Sequence, residues 1–535
     1  MKTSTKGSIE SPIATVNKWL VLAVMSVGTL IIFLDNTVVN TALPTISIDL
    51  GASTSTLQWI VDSYVLVLAG LLLIGGSMGD RFGRKRWMIV GLIIFGGGAV
   101  GAALATSGSQ LILFRGVQGL GAAFVLPATL SIITNVFPRD ERAKAIAIWT
   151  AVGALGIGLG PVLGGYLVDT FNWSSVFWMH IPVVALGLAG MALVPESRDE
   201  RDLGLDVPGA FLGTTGLIAL VFGIIQGSEA GWTSPVILGS FGLAIGLLTA
   251  FARVELRSDH PMLPLHFFRQ KDFTGAVLAI GLILFGMLVT FFFLTQYFQI
   301  VQGRSAFAAG LLIVPTSLAM MLAAPLSGQL VNKIGPRYLV LAMAVAMVTG
   351  VFMLTSLEVD SSALSAIIPL SIFGFGAGLG MPALTDTVMA SVPEADAGIG
   401  SAVNDVSREL GGALGIATIG SIVSSVYRSN IGDQLVGVPA DVAELASESV
   451  GVAAITAQQL PGELGAGVLE AANEAFVSAM TTGFQISAVI LLGAVVIAFT
   501  LIPRRMRLEQ AGDFAEEPDS SGIGGVMPLP EPTAA

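Results

Sequence analysis

The sequence predicts an all-α polytopic membrane protein, and three observations lead to this fold class. Of the 535 residues, 53% are hydrophobic and only 12% are charged. Apolar runs long enough to cross a bilayer follow one another along the chain, about fourteen in all. Lysine and arginine gather in alternate connections between these runs. Together these features exclude a soluble domain with a single wet surface.

A hydropathy window of about 19 residues places the helices in three groups. The first six spans are predicted near 19–43, 55–78, 87–106, 110–134, 144–168 and 174–194. Two further spans are predicted near 207–228 and 234–254. The last six are predicted near 273–298, 306–331, 337–357, 362–390, 398–426 and 479–502. An even number of spans leaves both termini on the same side of the membrane.

The chain therefore divides into two six-helix halves, 19–194 and 273–502, separated by two extra helices at 207–254. Residues 328–335 repeat the glycines and the basic character of residues 76–83, which indicates an internal repeat. The extra pair carries no promising ionisable residue, so we interpret it as scaffold. The remaining segments are an N-terminal tail, two linkers, an external loop and a C-terminal tail, at 1–18, 195–206, 255–272, 427–478 and 503–535.

Two of these segments have distinctive compositions. The loop 427–478 is rich in alanine, glycine, valine and acidic residues, and it contains no apolar span. We expect it to lie outside the conduction path and to form a short amphipathic helix around 462–476. The C-terminal tail is polar and rich in glycine and proline, which predicts disorder.

The distribution of charge predicts the orientation in the membrane. Basic clusters near 81–86, 139–144, 198–201, 253–271, 333–337 and 504–507 all fall on the face that carries the N-terminus. The positive-inside rule makes that face cytoplasmic. The first apolar run, of roughly 24 residues, is too long for a signal-peptide core, so the first helix should stay attached. The predicted location is a bacterial-type inner membrane with both termini in the cytoplasm.

Several function classes are excluded by missing residues. The chain has no cysteine and three scattered histidines, so no thiolate or histidine-pair metal site is expected. No phosphate-binding Gly-x-x-x-x-Gly-Lys-Ser/Thr loop is present, nor a His-Glu-x-x-His motif or nucleophile elbow. We expect no enzyme, no catalytic residue, no cofactor, no nucleic-acid partner and no ATPase subunit. The expected partners are small molecules and the lipid bilayer, with the chain as a monomer.

Three ionisable residues lie at similar depth in the first half. Asp35 lies about nine residues, or ~13 Å, below the outer end of its span, and Asp62 and Arg115 lie a few residues below theirs. A charge in lipid costs at least ~2.5 kcal/mol, so these residues should face the bundle interior and pair. The alternatives are a capping role for Asp35, an interfacial Asp62 and an Arg115 that extends to the interface. Secondary candidates beside them are Asn36, Asn40 and Gln118.

The second half carries its own acidic candidates. Asp386 lies in the predicted span 362–390 without a local cationic partner. Asp405, Arg408 and Glu409 follow in the predicted span 398–426. Because residues three apart share a helix face, the more ordinary interpretation of Asp405 and Arg408 is an intrahelical ion pair.

A basic turn at residues 76–86 separates the second and third spans. Its glycines permit a tight turn, its acidic residue can accept from a helix N-terminus or a basic partner, and its cations hold one side of the membrane. We interpret it as a conformational switch, although a simple positive-inside turn explains part of the pattern. Its candidate residues are Gly76, Asp80, Arg81, Gly83 and Arg84.

The fifth span is unusually rich in glycine and contains a proline. This pattern predicts a close helix crossing that can hinge. The candidate hinge residues are Gly156, Gly160, Pro161, Gly164 and Gly165.

These motifs together resemble the fourteen-helix drug/proton antiporter branch of the major facilitator superfamily, over roughly residues 15–505. The resemblance is carried by the turn 76–86, by residues 34–44, by the glycine and proline run of the fifth span, and by residues 404–415. It implies a major facilitator fold and export by alternating access, with protons as the coupling ion. The chain departs from the family pattern at three places, which concern the substrate: 173–175, His180 and Arg304.

Three functions are candidates for this chain. A multidrug exporter of lipophilic, often cationic compounds agrees with both the resemblance and the acidic interior. A dedicated exporter of one endogenous metabolite or antibiotic would have the same sequence features. A membrane sensor or scaffold would need no buried proton relay, and the charges at Asp35, Asp62, Arg115 and Asp386 argue against it.

Overall fold

The computed structural model describes residues 17–198, 206–258, 261, 263, 265–393, 397–435 and 438–504. Within these residues the chain forms helices joined by short connections, and no strand is present. Most of the predicted N-terminal tail, the middle of the first linker and almost all of the C-terminal tail lie outside the described residues.

The first half contains five long helices and a sixth span built from shorter pieces. The long helices are α1 (Lys18–Leu50), α2 (Thr54–Phe82), α3 (Arg84–Ala103), α4 (Gly108–Val136) and α5 (Arg139–Thr170). The sixth span is formed by α6 (Ser175–Trp178), α7 (His180–Gly190) and a 3-10 turn at Met191–Leu193. Serine side chains cap the starts of α2 and α4, as the N–H groups of a helix's first turn require.

The central pair and the second half follow the same pattern. The pair is α8 (Val207–Ala230) and α9 (Pro235–Glu255). The second half begins with α10 (Lys271–Gln296), which continues as a π-helical turn at Tyr297–Val301. Its other helices are α11 (Ala306–Ile334), α12 (Pro336–Leu354), α13 (Ala363–Ala390), α14 (Ala397–Gln434), α15 (Ala440–Glu448), α16 (Val450–Gln458) and α17 (Gly462–Thr500).

The predicted membrane fold is confirmed. Among the described residues, thirteen helical segments are long and apolar enough to cross a bilayer. The 32-residue helix α5, whose side chains are described only in part, lies between the fourth and the fifth of them. These spans and α5 agree with the predicted count of about fourteen.

Equivalent helices pack in the same way in both halves. In the first half, α4 packs against α2 and α3, while α1 packs against α5. In the second half, α13 packs against α11 and α12, while α10 packs against α14. The internal repeat seen in the sequence is therefore a repeat of packing. Below, the face where α1 begins is called the N-terminal face, and the face where α1 ends is called the opposite face.

The central pair does more than fill space between the halves. Helix α8 packs against α2 of the first half and α14 of the second half, and α9 packs against α8. Trp59 of α2 lies against Phe222 of α8, with ring centroids 6.3 Å apart. Arg428 of α14 donates a hydrogen bond to the main-chain oxygen of Ser228 in α8, at 3.0 Å. The scaffold proposed for this pair thus connects the two halves.

The segment predicted as an external loop, 427–478, is mostly helical instead. Helix α14 continues to Gln434, and the amphipathic helix expected around 462–476 is the first part of the 39-residue helix α17. Between them, α15 and α16 fold back so that α16 packs against α1 and α17. A hydropathy window misses these helices because their alanines and glycines bury well in tight packing but contribute little transfer free energy.

Helix α16 is seated tightly on the end of α1. The hydroxyl of Ser449 donates to the main-chain oxygen of Ala52, at 3.4 Å. A Cβ built at Gly451 would overlap the hydroxyl of Ser47 and lie 2.9 Å from the Ser47 Cβ. Ser47 is itself buried and bonded to Ala52, so it has little freedom to move away.

We therefore predict that Gly451→Ala lowers stability although alanine favours helices. Overpacking of this kind costs about 1–3 kcal/mol. The midpoint of thermal unfolding in detergent should fall by about 1–3 °C. The matched control is Gly467→Ala in α17, where a Cβ meets no atom within 4 Å. That change should be neutral or stabilising, and equal midpoints for the two variants would contradict the tight seating of α16.

Candidate functional site

The centre of the site is a buried ion pair between α1 and α4. Asp35 is 0% exposed and Arg115 is 1% exposed. The Nη1 atom of Arg115 donates to Asp35 Oδ2 at 2.6 Å and to Gln118 Oε1 at 3.1 Å. Its Nε donates to the main-chain oxygen of Ile60 at 3.1 Å, and the guanidinium lies 4.2 Å from the Tyr64 ring centroid. The predicted pairing of Asp35 with Arg115 is present, and Arg115 does not extend to the interface.

His180, at the start of α7, is a third member of this cluster. Its Nε2 atom lies 3.4 Å from Asp35 Oδ1, and its side chain is fully buried. Phe95 packs edge-on against the imidazole, with ring centroids 5.5 Å apart. Sequence reasoning treated His180 only as a departure from a family pattern. The available signal was that it is an ionisable residue inside an apolar span.

Asp62 lies apart from the ion pair in this structure. It is 0% exposed, and within the described residues neither carboxylate oxygen has a hydrogen-bond partner. Gln58, four residues earlier on the same face of α2, donates to the main-chain oxygens of Ile416 and Ala417 in α14, at 2.8 and 3.2 Å. Asp62 is therefore directed toward the interface between the halves, and no hydrogen bond joins it to Arg115.

The acidic residues of the second half lie on α13 and α14. Asp405 and Glu409 are partly buried, whereas Asp386 is exposed, which corrects the expectation that it is a buried charge. Asn404 donates to Asp405 Oδ1 at 3.3 Å and accepts from the Thr385 hydroxyl at 3.4 Å. Thr385 directly precedes Asp386, so these contacts bring the two helices' acidic positions close together.

The ion pair expected between Asp405 and Arg408 is one difference between this acidic group and the sequence analysis, and the interactions of Glu409 are an addition to it. No ion pair within 4.0 Å joins Asp405 to Arg408 in the described part of the chain, because the contact made by Asp405 is with Asn404. Arg408 still interacts electrostatically with Asp405 and with Glu409. Tyr64, which stacks on Arg115, interacts electrostatically with Glu409 as well as with Asp35. Glu409 of the second half is therefore near enough to Tyr64 of the first half to interact with it electrostatically.

The secondary candidates on α1 continue the polar strip beyond Asp35. Asn40 Nδ2 donates to the main-chain oxygen of Asn36 at 2.8 Å, and the buried Asn40 Oδ1 has no partner within the described residues. One residue further, the main-chain oxygen of Thr41 accepts from Gln299 of the second half at 2.9 Å. This part of α1 thus faces the second half.

The glycines of α5 allow it to touch α1 at main-chain distance. A Cβ at Gly156 or Gly164 would lie 3.1 or 3.2 Å from a main-chain oxygen of α1. A Cβ at Gly160 would overlap the Thr37 hydroxyl. The close crossing predicted for this helix is present.

The same helix touches the second half through its next residues. A Cβ at Gly165 would overlap the main-chain oxygen of Ala306 and lie 2.6 Å from the Phe307 Cα. In return, a Cβ at Gly310 of α11 would overlap the main-chain oxygen of Pro161. Asp169 accepts from the N–H groups of Ala306 and Phe307, each at 2.9 Å. The glycine and proline run therefore joins the halves near the opposite face, and α5 stays helical through its proline.

The turn between α2 and α3 is held by acidic residues from two segments. Arg84 Nε donates to Asp80 Oδ1 at 2.6 Å, which provides the basic partner expected for Asp80. Glu196, which follows the sixth span, accepts from the Lys85 N–H at 3.1 Å. Gly83 has φ of +116°, and a Cβ there would lie 2.8 Å from Glu196 Oε1. The role of Glu196 at the start of α3 was not found from the sequence.

The remaining turn residues have simpler surroundings. The guanidinium of Arg81 lies 5.5 Å from the Phe82 ring centroid. A Cβ at Gly76 would meet Pro127 of α4 at 3.4 Å, an ordinary contact. Neither observation assigns these two residues a switch role, which stays a prediction.

Two six-helix repeats around buried charges define a membrane transporter, and comparison with known proteins names the family. The model of the Major Facilitator Superfamily matches residues 25–416, and the chain belongs to this family. It is a multi-pass transporter and not an enzyme.

Similar proteins include bacterial multidrug efflux and drug resistance proteins. The chain is 34% identical over 499 residues to the multidrug efflux pump LfrA of Mycolicibacterium smegmatis, covering 93% of this chain and 99% of that protein. It is 36% identical to the multidrug resistance protein Stp of Mycobacterium tuberculosis over 76% of each chain. The puromycin resistance protein pur8 of Streptomyces alboniger is 34% identical, over 78% of this chain and 84% of that protein.

Solved structures confirm the fold. A bacterial homologue of the human lysosomal transporter Spinster, in an inward-facing and unoccupied conformation, superposes with a TM-score of 0.64 at 17% identity, over 94% of this chain and all of that chain. A D-xylose-proton symporter gives a TM-score of 0.58 at 13% identity, over 91% of this chain and 98% of that chain.

The α5–α11 contact generates a prediction about conformational cycling. In Gly165→Ala the new methyl group overlaps main-chain atoms of α11, so the halves should separate near the opposite face. Spin labels at Leu104→Cys and Phe352→Cys, in a chain that has no native cysteine, should move apart. Transport should fall at least about tenfold, which corresponds to about 1.4 kcal/mol in the barrier.

The matched control is Gly158→Ala on the same helix. A Cβ there meets the Ser317 Cβ at 3.5 Å, an ordinary contact. This control should keep the wild-type label distance and transport rate. Wild-type behaviour of a well-expressed Gly165→Ala protein would show that the contact is not needed.

The turn generates a second prediction. Asp80→Asn removes the charge-assisted bond to Arg84, which contributes about 1.5–3 kcal/mol when intact. If Asp80 acts as a conformational latch, this change should slow turnover more than it weakens equilibrium binding of substrate. Binding and single-cycle transport would be measured on the same preparation. Weaker binding with unchanged turnover would exclude the latch.

Proposed function

We propose that this protein is a proton-coupled exporter of lipophilic, often cationic, compounds that works by alternating access. The observation that carries the proposal is the set of buried ionisable groups in the first half: Asp35 is paired with Arg115, and Asp62 has no partner within the described residues. Intramembrane charges of this kind are costly and are retained for transport of ions or substrates. The names of LfrA and Stp support drugs as the substrate class.

The two carboxyl groups would do different work. A carboxylate at Asp62 would lack any donor among the described residues, so we propose that this residue carries a proton in the present state. Asp35 pairs with Arg115, and a proton or a cationic substrate would compete with Arg115 for this carboxyl group. His180, 3.4 Å from the second oxygen of Asp35, would accept or donate the proton that Asp35 exchanges.

The number of protons exchanged per substrate molecule determines the substrate concentration ratio that the exporter can maintain across the membrane. One pH unit supplies about 1.4 kcal/mol per proton, and 100 mV supplies about 2.3 kcal/mol per charge. Exchange of one proton for one monovalent cation moves no net charge, so one pH unit sustains about tenfold accumulation. Two carboxyl groups would permit two protons per cation, and the membrane potential would then contribute.

The substrate would bind where the charged groups of both halves face each other. Asp386, Asp405 and Glu409 supply negative charge from the second half, which favours cationic molecules. The N-terminal face would be cytoplasmic, with export toward the opposite face of a bacterial inner membrane. The chain would act as a monomer without an ATPase subunit.

A dedicated exporter of one antibiotic is the second candidate. It is favoured by similarity to the puromycin resistance protein pur8 and to the tetracenomycin C resistance and export protein of Streptomyces glaucescens. A panel of unrelated dyes and antibiotics, tested in proteoliposomes under an imposed pH gradient, separates the two candidates. Mutual competition among unrelated compounds supports the multidrug function, and transport of a single compound supports the dedicated one.

We predict that Asp35→Asn abolishes proton-coupled export, because it removes the carboxylate for which Arg115 and a proton compete. Asp62→Asn should impair transport of cations or its dependence on voltage, and leave transport of neutral compounds less affected. Proteoliposomes in which the pH gradient and the potential are clamped separately measure both effects.

The control for both variants is Asp49→Asn, an exposed carboxylate near the end of α1. It should leave transport and coupling unchanged. Undiminished and equally voltage-sensitive transport of cations by the double variant of Asp35 and Asp62 would refute the assignment of these carboxyl groups.

A further inference from the structure

A basic cavity lies on the N-terminal face of the second half, far along the chain from the charged cluster of the first half. Its volume is about 650 Å³. It is formed where α11 ends, α12 begins and α17 ends, and its lining residues are Lys333, Ile334, Tyr338 and Arg504. The transport mechanism proposed above uses none of these residues.

The equivalent place in the first half is occupied by an internal anion. There the sixth span is followed by Pro195 and Glu196, next to the turn that starts α3. The Glu196 carboxylate accepts from the Lys85 N–H at 3.1 Å and lies 3.7 Å from Arg86 Nε. A carboxylate thus neutralises both the helix start and a nearby cation.

The second half keeps this architecture but reverses the charge. The last span is followed by Pro503 and Arg504, so a guanidinium replaces the carboxylate of Glu196. The connection between the two elements persists, since Arg337 Nε donates to the main-chain oxygen of Ile502 at 2.8 Å. No carboxylate of the described residues lies within 4.0 Å of the Lys333 or Arg504 nitrogen atoms. The cavity therefore contains two cations where the first half contains an acid and a base.

We propose that this cavity binds the phosphate headgroup of an anionic phospholipid. The phosphate would take the place that Glu196 has in the first half, between Lys333 and Arg504. The N-terminal face is the one predicted to be cytoplasmic, and anionic lipids enrich that leaflet of the membrane. Basic pockets between membrane helices at this level are suited to such headgroups.

The surroundings of the cavity favour a lipid over a free phosphate ion. Tyr338 and Ile334 are 50% and 44% exposed, and they place an aromatic ring and an apolar side chain beside the two cations. The apolar surface continues toward the membrane centre along α12 and α17, which pack together. Exposed apolar residues on these helices are Val345, Val489, Leu492, Val496 and Phe499. Acyl chains would cover this surface while the headgroup enters the cavity.

Native mass spectrometry of the full-length chain in detergent tests the proposal. Dioleoyl phosphatidylglycerol should bind at least about tenfold more tightly than dioleoyl phosphatidylcholine, because the two cations attract its net charge. The double variant Lys333→Gln and Arg504→Gln should lose this preference. The double variant Lys333→Arg and Arg504→Lys keeps both charges and should retain it, which separates loss of charge from misfolding.

The matched control is Arg253→Gln with Arg257→Gln, which removes two exposed cations at the same face on and just after α9. It should bind phosphatidylglycerol as the wild type does. Equal weakening by both neutral pairs would show diffuse attraction and overturn the site. Inorganic phosphate that binds as tightly as the lipid in calorimetry would make it a site for soluble anions and overturn the lipid assignment.

One further outcome concerns the acidic C-terminal segment beyond residue 508. Carbodiimide treatment followed by peptide mapping would detect a covalent bond between Lys333 and a carboxylate of that segment. Such a bond in most molecules would show that the chain fills its own cavity, and would overturn the proposal. Its absence, together with the lipid preference described above, supports the lipid.

Discussion

The packing of the first half depends on the buried Asp35–Arg115 ion pair, because two charges removed from water need close partners. A charge moved into a low-dielectric interior loses several kcal/mol of solvation, and it recovers this only through close partners and further hydrogen bonds. Arg115 obtains them from Asp35, Gln118, the Ile60 carbonyl and the Tyr64 ring. These partners come from α1, α2 and α4, so the ion pair fixes how three helices of the first half are arranged. Removal of the Asp35 carboxylate would therefore disturb contacts of three helices at once.

Close approach of main chains is the second constraint, and it acts between the halves. Because lipid tails are as apolar as the helices, association within the membrane depends on tight packing and hydrogen bonds. Glycines of α5 and α11 bring their main chains together, and the Asp169 carboxylate accepts two N–H groups at the start of α11. The halves thus meet through main-chain contacts that leave no room for added side chains at Gly165 and Gly310. Close contacts of this kind suit alternation between two states.

Part of this arrangement could be predicted from the sequence because a helix has a fixed rise per residue. Counting residues placed Asp35 and Arg115 at one depth, and they form the expected pair. Rotation about the helix axis is not fixed by counting, and so Asp62, at the same depth, is directed toward α14 instead of Arg115. Contacts between distant segments were missed for a related reason: nothing local in the sequence joins Glu196 to the turn before α3 or His180 to Asp35. Helices α15 and α16 were missed because their burial rests on small side chains in tight packing, whereas the helix expected around 462–476 is the start of α17.

The polar contacts across the interface share one property that affects how such a protein can evolve. Gln58 donates to the Ile416 and Ala417 carbonyls, Gln299 to the Thr41 carbonyl, and Asp169 accepts from two main-chain N–H groups. In each case one partner is a main-chain carbonyl, which every amino acid supplies, or a main-chain N–H, which every amino acid except proline supplies. Substitutions at positions that supply only a main-chain atom, such as Thr41 and Ile416, leave these bonds available, whereas the glycines of α5 and α11 are constrained by close packing. In the proposed exporter, the side chains at such positions would be free to change which molecules are accepted, while the contacts between the two halves are kept.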